Sequence, residues 1–140
     1  MFVRIISILF LVAALFGCQT INPVTQLDKP ENLKALVQEE GVVVLTVFGA
    51  DWCGYCQAFD KEIPRLQEKY GKDLKIVKVD ADKYPMSMFG IPADGIPFFA
   101  VSIGGKLVSM GGGTVEDVES VLDEAVSLLK GETDGQTKGH

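Results

Sequence analysis

The chain has 140 residues, of which 13 are basic and 19 are acidic, and its formal net charge is −6 at neutral pH. An acidic chain lacks the basic surface that nucleic-acid binding requires, so nucleic acid is excluded as a partner. Hydrophobic residues make up 47% of the chain. This length and composition suit a single domain with its own hydrophobic core.

The N-terminal segment 1–17 predicts a secretory signal. It carries one positive charge, Arg4, and continues over residues 5–16 with a run that is apolar apart from Ser7. As a helix, such a run spans about 18 Å, which is too short to cross a hydrocarbon core of about 30 Å. We therefore interpret residues 1–17 as a signal peptide rather than as a membrane span.

The predicted signal ends in Leu15-Phe16-Gly17-Cys18, which resembles the lipobox of bacterial lipoproteins. The resemblance implies that Cys18 is acylated and anchors the protein to a membrane on the periplasmic side of the cell envelope. Gln19, where inner-membrane lipoproteins have Asp, resembles the outer-membrane class. Because Phe16 departs from the small or β-branched residue usual at its position, the alternative is an ordinary signal that leaves a free thiol.

The next segments predict a tether, a helix and a buried strand. Residues 18–29 are polar and are interpreted as a tether between lipid and domain. Pro30 at a first helical position and Gly41 just past the last turn predict a short amphipathic helix between them. Residues 42–48 form an apolar run, interrupted only by Thr46, that is typical of a strand covered on both faces in the middle of a sheet.

Two cysteines follow that strand, in the sequence Trp52-Cys53-Gly54-Tyr55-Cys56. A cysteine in the first turn of a helix meets unpaired backbone N–H groups and the positive end of the helix dipole, which lower its pKa and favour the thiolate. The thiolate is the attacking species in disulfide exchange. The spacing lets Cys56 attack a mixed disulfide formed by Cys53, which predicts a redox-active disulfide between the two.

Beyond the cysteines, the pattern predicts a helix, a strand and a long connection. The helix is predicted over residues 53–70, with Pro64 kinking or interrupting it. A strand follows over residues 74–79, and residues 80–95 form the connection.

A β-hairpin and a last helix complete the predicted domain. The apolar segments 97–103 and 106–110 flank Gly104-Gly105, a two-residue hairpin turn. Thr114, with Asp117 three residues later, is predicted to cap a helix. Its predicted buried stripe consists of Val115, Val118, Val121, Leu122, Ala125, Leu128 and Leu129. The folded domain is therefore placed at residues 30–130, with 131–140 as a disordered tail.

From about Glu31 to Lys130 the chain resembles the thioredoxin superfamily. The resemblance rests on residues 48–56 (Phe-Gly-Ala-Asp-Trp-Cys-Gly-Tyr-Cys), on Gly95-Ile96-Pro97 before the third strand, and on the hairpin with its final helix. It implies an α/β thioredoxin-like fold, with a central mixed β-sheet flanked by helices. Ala-Asp-Trp-Cys is similar to periplasmic reductase domains of the Dsb type, and Gly-Tyr between the cysteines is similar to periplasmic disulfide isomerases.

The resemblance also implies roles for residues around the cysteines. Pro97 resembles the cis-proline that faces the redox pair in this superfamily, and the backbone of Ile96 would then pair with an extended substrate segment. The alternative is a trans proline at the start of a strand. Trp52 and Tyr55 are expected to form an apolar rim that binds substrate, although Trp52 packing on the domain is an equal alternative.

The sequence departs from thioredoxin six residues before the first cysteine. That family commonly has a buried acid there, which accepts the proton of the second cysteine, and this chain has Val47. Asp60 lies seven residues after Cys53, about two turns along the same helix face, and is a candidate substitute. The alternative is that Asp60 is only a solvated helix residue.

Metal and hydrolytic sites are poorly supported by the sequence. Zinc requires four ligands, and the chain has no second CxxC pair and a single histidine, His140. The same histidine lies outside the predicted domain, which excludes Cys–His hydrolysis. We therefore expect neither a metal nor another cofactor.

The prediction is a lipid-anchored thiol–disulfide oxidoreductase of the cell envelope that reduces protein disulfides. Cys53 is the nucleophile and Cys56 the resolving thiol, and another thiol protein is expected to supply the electrons. We expect a monomer. The alternatives are a disulfide oxidase or isomerase, or a non-catalytic module that binds a client protein or a metal.

Overall fold

The protein is described by a computed structural model that covers residues 21–93 and 95–131. Its strands and helices are β1 (Thr25–Gln26), α1 (Asn32–Val37), β2 (Val43–Gly49), α2 (Gly54–Tyr70), β3 (Leu74–Asp80), β4 (Phe98–Ile103), β5 (Lys106–Gly111) and α3 (Val115–Leu129). Short 3-10 helices lie at Gly71–Asp73 and Met86–Phe89. In these ranges, no helix is both long enough and apolar enough to cross a membrane.

The five strands form one mixed sheet in the order β1-β3-β2-β4-β5. Strands β1 and β2 run parallel to β3, whereas β4 runs antiparallel to β2 and β5 antiparallel to β4. The predicted central mixed sheet flanked by helices is thus confirmed. The β4–β5 turn is made by Gly104 and Gly105, whose φ angles are both positive, as a two-residue hairpin requires.

Strand β2 lies at the centre, and its residues before Gly49 are all buried. Successive side chains of a strand point to opposite faces. Val43, Leu45 and Val47 accordingly pack in one core with α2 and α3, while Val44 and Phe48 pack in a second core on the other face. The apolar run read from the sequence is therefore a strand covered on both sides, as predicted.

Helix α2 buries the predicted residues Phe59, Ile63 and Leu66 against the sheet. It runs without interruption past Pro64, so an interruption at this residue, one of the two predicted outcomes, does not occur. Pro64 is exposed, and a proline there removes only the one helical hydrogen bond to the carbonyl of Asp60. Burial of the flanking turns is enough to keep the helix continuous.

Helix α3 begins at the predicted cap. The Thr114 side chain accepts from the backbone N–H of Asp117, and the Asp117 carboxylate accepts from the backbone N–H of Thr114. The predicted stripe is correct except at its end, where Leu128 is exposed and Val126 is buried instead. At about 100° per residue, Leu128 lies about 100° from the middle of the stripe, whereas Val126 lies within about 60° of it.

Part of the predicted tether is docked on the sheet. The Asn22 side-chain amide donates to the carbonyls of Lys72 and Leu74, at 3.0 and 2.9 Å. Strand β1 pairs with β3, and Leu27 is buried with 3% of its surface exposed. The folded region therefore begins before Pro30, which lies in the turn that precedes α1. The predicted signal peptide and Cys18, and all of the predicted tail beyond residue 131, lie outside the described residues.

A charged network joins α2 to α3 on the surface. Arg65 binds both carboxylate oxygens of Glu119, at 3.0 and 2.9 Å, and Lys69 binds Glu119 and Asp123. Hydrogen bonds from Arg65 and Lys69 lower the pKa of Glu119 to about 2. The Tyr70 hydroxyl donates to Asp123 at 2.7 Å, and burial raises its pKa above the usual range. These contacts fix how the two helices are aligned along their length.

The docking of the N-terminal segment can be tested by truncating Leu27. Leu27→Ala is expected to lower the free energy of unfolding by about 3 kcal/mol, because it removes a buried side chain from the second core. The half-exposed neighbour Val24 provides the control, and Val24→Ala should change the value by less than about 0.5 kcal/mol. Urea denaturation measures both. Equal, small effects would show that residues 22–27 are indeed a tether.

Candidate active site

The two cysteines lie where β2 ends and α2 begins. Cys53 is the N-cap residue of α2, with an extended backbone, and Cys56 lies in the first turn. They form a disulfide with 5.2 Å between their Cα atoms, and both are buried. The backbone N–H of Cys56 points at Sγ of Cys53, at 3.1 Å. Once the disulfide is reduced, this otherwise unpaired helix N–H is placed to stabilise a thiolate on Cys53.

Gly49, the last residue of β2, lets the strand pass close to the disulfide. A Cβ atom at this position would lie 3.2 Å from Sγ and 3.3 Å from Cβ of Cys56, which is closer than carbon and sulfur normally approach. A larger residue would therefore require Cys56 to shift by a few tenths of an ångström. Sequence reasoning quoted Gly49 in the motif but gave it no role, because the contact depends on how β2 and α2 meet.

The segment before β4 faces the disulfide. The Ile96–Pro97 peptide bond is cis, as predicted. The carbonyl oxygen of Ile96 lies 3.8 Å from Sγ of Cys53. The structure thus brings Ile96 and Pro97 together with the redox pair, although the two segments are more than 40 residues apart in the chain.

Two exposed aromatic side chains flank the cysteines. Trp52 is 70% exposed and Tyr55 is 82% exposed, which favours the predicted apolar rim over packing of Trp52 on the domain. The indole Nε1 of Trp52 donates to the carboxylate of Asp82 at 2.7 Å. This bond holds the ring beside the active site without burying it, and no residue pattern indicates the pairing, because Trp52 and Asp82 are 30 residues apart.

A second group of residues lies on the other side of Cys56. Val47, Cys56, Asp60 and Lys78 all line one cavity of about 300 Å³. The carboxylate of Asp60 accepts from Nζ of Lys78 at 2.8 Å. The spacing of seven residues therefore did place Asp60 on the cysteine side of α2, as predicted. Sequence reasoning missed Lys78, which becomes its partner because β3 pairs with β2 in a register that sets Lys78 beside Val47.

A wide groove of about 940 Å³ opens on the Tyr55 side of the active site. Its floor is formed by the segment from Ile96 to Phe99, one wall by α2, and the other wall by the glycines before α3 and the start of α3 itself. Most of its lining is apolar. A groove of this shape, lined by Tyr55 and by Ile96, whose carbonyl lies beside Sγ of Cys53, is able to receive an extended peptide segment.

Comparisons with known proteins agree with this geometry. The sequence profile of the family described as Thioredoxin matches residues 18–124. The thioredoxin of Listeria monocytogenes is 33% identical over 86 residues, which cover 60% of this chain and 84% of that protein. The protein disulfide-isomerase like 2-2 of Arabidopsis thaliana is 31% identical over 130 residues, which cover 90% of this chain but 28% of that protein.

A solved structure shows the same fold. The thioredoxin of Trypanosoma brucei brucei superposes with a TM-score of 0.68 at 18% identity, covering 81% of this chain and 99% of that one. The family match, the position of the disulfide at the start of α2 and the cis Ile96–Pro97 bond facing it lead to one conclusion. The chain belongs to the thioredoxin family and is a thiol–disulfide oxidoreductase.

Proposed function

We propose that this oxidoreductase reduces disulfides of proteins in the bacterial cell envelope. The observation that carries the proposal is the placement of Cys53 at the N-cap of α2, with the Cys56 N–H on its sulfur and an open groove beside it. Resemblance to thioredoxins, whose couple lies near −270 mV against about −180 mV for protein disulfide isomerase, supports the reducing direction.

The reaction begins with the dithiol form. The Cys53 thiolate attacks one sulfur of the client disulfide, forming a mixed disulfide and releasing the other client sulfur as a thiolate that takes up a proton. The Cys56 thiol loses its proton, and its thiolate then attacks Sγ of Cys53. This step closes the Cys53–Cys56 disulfide and releases the second client thiol. Two electrons have passed to the client, and an upstream dithiol protein restores the reduced pair.

The client is held by backbone and by the aromatic rim. In this proposal the backbone of Ile96, next to Pro97, pairs with an extended client segment, which brings a client sulfur close to Cys53. Trp52 and Tyr55 supply apolar contact on either side. None of these contacts requires a folded client surface, so flexible segments with a disulfide are the preferred substrates.

Asp60 is proposed as the acceptor of the Cys56 proton. Val47 leaves no acid at the position where thioredoxins commonly have one, and Asp60 lines the same cavity as Cys56. Lys78 keeps the Asp60 carboxylate on that side of α2. A positioned carboxylate speeds proton transfer from a thiol relative to water alone.

The proposed location depends on Cys18. Acylation at this residue would anchor the chain on the periplasmic side, with the outer membrane favoured by Gln19. Each buried methylene contributes about 0.8 kcal/mol, so more than one acyl chain gives a lasting anchor. The short stretch from Cys18 to the docked Asn22 would then hold the domain close to the lipid surface.

Reduction of insulin by the full-length protein in detergent, with dithiothreitol as donor, tests the activity. The wild type should accelerate insulin precipitation, and Cys53→Ser should abolish the effect because it removes the nucleophile. Cys56→Ser should instead trap client proteins from envelope extracts as mixed disulfides. Cys18→Ser serves as the control and should retain full activity. Trapping through Cys56 in a Cys53→Ser variant would reverse the assignment of the two thiols.

Asp60→Asn tests the proton acceptor. We expect resolution of a preformed mixed disulfide at pH 7 to slow by about tenfold or more, since general base catalysis is lost. Alkylation of Cys53 by iodoacetamide should be nearly unchanged. Glu68→Gln, an exposed acid on the same helix, is the matched control and should leave both rates intact. A wild-type resolution rate in Asp60→Asn would reduce Asp60 to a solvated helix residue.

Mass spectrometry of the mature protein tests the anchor. We expect residues 1–17 to be absent and Cys18 to carry acyl chains, with the protein in the membrane fraction. Cys18→Ser should move it out of that fraction, because the acceptor thiol is gone. An unmodified Cys18, or a mature N-terminus elsewhere, would refute lipid anchoring without affecting the proposed reaction.

A further inference from the structure

Ion pairs join the surfaces of α2 and α3 over the second half of α2, whereas the described residues of both helices that border the groove include acids and no bases. Lys69 pairs with Asp123, and one turn earlier on both helices Arg65 pairs with Glu119, with contacts of 2.9 Å in each case. The two helices therefore advance side by side in the same direction. Three residues before Arg65 and Glu119 lie Glu62 and Glu116, which are both acidic.

These two carboxylates border the groove beside the redox disulfide, one from each helix. Both Glu62 and Glu116 are among the residues that line it. No lysine or arginine is among the described lining residues. Two carboxylates on a groove without a basic residue in its described lining give it a negative potential, which favours a cationic group there.

Arg65 does not neutralise the pair. Its Nε atom contacts Glu62 at 2.9 Å, but its other guanidinium nitrogens are engaged by both oxygens of Glu119. One cation is thus shared by two carboxylates, while Glu116 forms no ion pair among the described residues. A negative potential consequently remains at this end of an otherwise apolar groove.

The distance along α2 from the cysteines to Glu62 determines how many client residues would separate a client sulfur from a charged client residue that contacts Glu62. Glu62 is eight residues beyond Gly54, the first residue of α2, which corresponds to about 12 Å along the helix at 1.5 Å per residue. An extended peptide advances about 3.3 Å per residue. Three to four client residues therefore separate a sulfur at Cys53 from the carboxylates.

We propose that Glu62 and Glu116 determine client specificity, by binding a lysine or arginine three to four residues from the client cysteine. This inference rests on the proposed function, since it concerns the groove through which disulfides would reach Cys53. It narrows the substrate class to disulfides in extended segments whose flanking residues are apolar near the cysteine and basic beyond it.

Symmetric peptide disulfides provide the test. In each peptide the third and fourth residues on both sides of the cysteine are Lys, Gln or Glu, and the remaining residues are Ala and Gly. The reduced full-length protein in detergent is mixed with each peptide at low salt, and kcat/KM is measured with dithiothreitol as donor. The Lys peptide should react about fivefold faster than the Gln peptide, the Glu peptide should be slower still, and the differences should shrink in high salt.

Two double variants separate local recognition from net charge. E62Q/E116Q should bring the Lys-to-Gln ratio close to one, while the amides preserve side-chain size. E68Q/E124Q removes the same charge from exposed positions that do not line the groove, and it should keep the wild-type ratio. An unchanged ratio in E62Q/E116Q, or an equal loss in both variants, would overturn the specificity assignment.

A neutral small substrate, 2-hydroxyethyl disulfide, distinguishes failure of this inference from failure of the proposed function. If the wild type reduces it and all three peptides at equal rates, the specificity role of Glu62 and Glu116 is refuted while the reductase stands. If the folded protein reduces neither the small disulfide nor the peptides, the reductase proposal falls, and the inference falls with it.

Discussion

The burial of β2 on both faces is the constraint on which the rest of the structure depends. Because α2 and α3 cover one face of this strand and the second core covers the other, its end has little freedom. Gly49 is held there in close contact with Cys56, and the chain turns directly into the first turn of α2. A reactive sulfur needs unpaired helix N–H groups in a fixed position, and a rigid central strand provides that position more reliably than a surface loop.

Around this fixed point the chain arranges two different environments for its two sulfurs. Sγ of Cys53 lies beside Ile96, which lines the open groove, and this side suits a thiol that meets external substrates. Cys56 faces a smaller cavity that holds the Asp60–Lys78 ion pair. Because β2 has Val47 rather than an acid, the charged groups near Cys56 are Asp60 of α2 and Lys78 of β3. The Asp60 side chain is 40% exposed and paired with Lys78, so it is a surface carboxylate rather than an acid enclosed in the core.

The contact between α2 and α3 shows how stability and recognition share one surface. Away from the active site, each helix turn sets a basic residue against an acidic one, and Glu119 and Asp123 hold Arg65 and Lys69 in place. Nearer the N-terminal ends of the two helices, Glu62 and Glu116 both line the groove. Arg65 contacts Glu62 as well as Glu119, and in the proposed recognition the remaining negative charge lies near the place where a client segment would enter.

Residue pattern alone determined most of the helices and strands, because apolar periodicity, capping residues and turn glycines act locally. The structure has the predicted buried strand before Cys53, the predicted capping box at Thr114 and the predicted hairpin at Gly104-Gly105. The spacing within α2 likewise placed Asp60 on the cysteine side.

What only the tertiary structure decided involves contacts between distant segments. Docking of Asn22 and Leu27 on β3 depends on an open sheet edge that a polar segment does not reveal. Lys78 reaches Asp60 through strand register, Gly49 approaches Cys56 through the strand–helix junction, and Glu62 and Glu116 line one groove because α2 and α3 lie side by side. Each of these contacts arises from packing between elements, and packing depends on three-dimensional shape that no local pattern encodes.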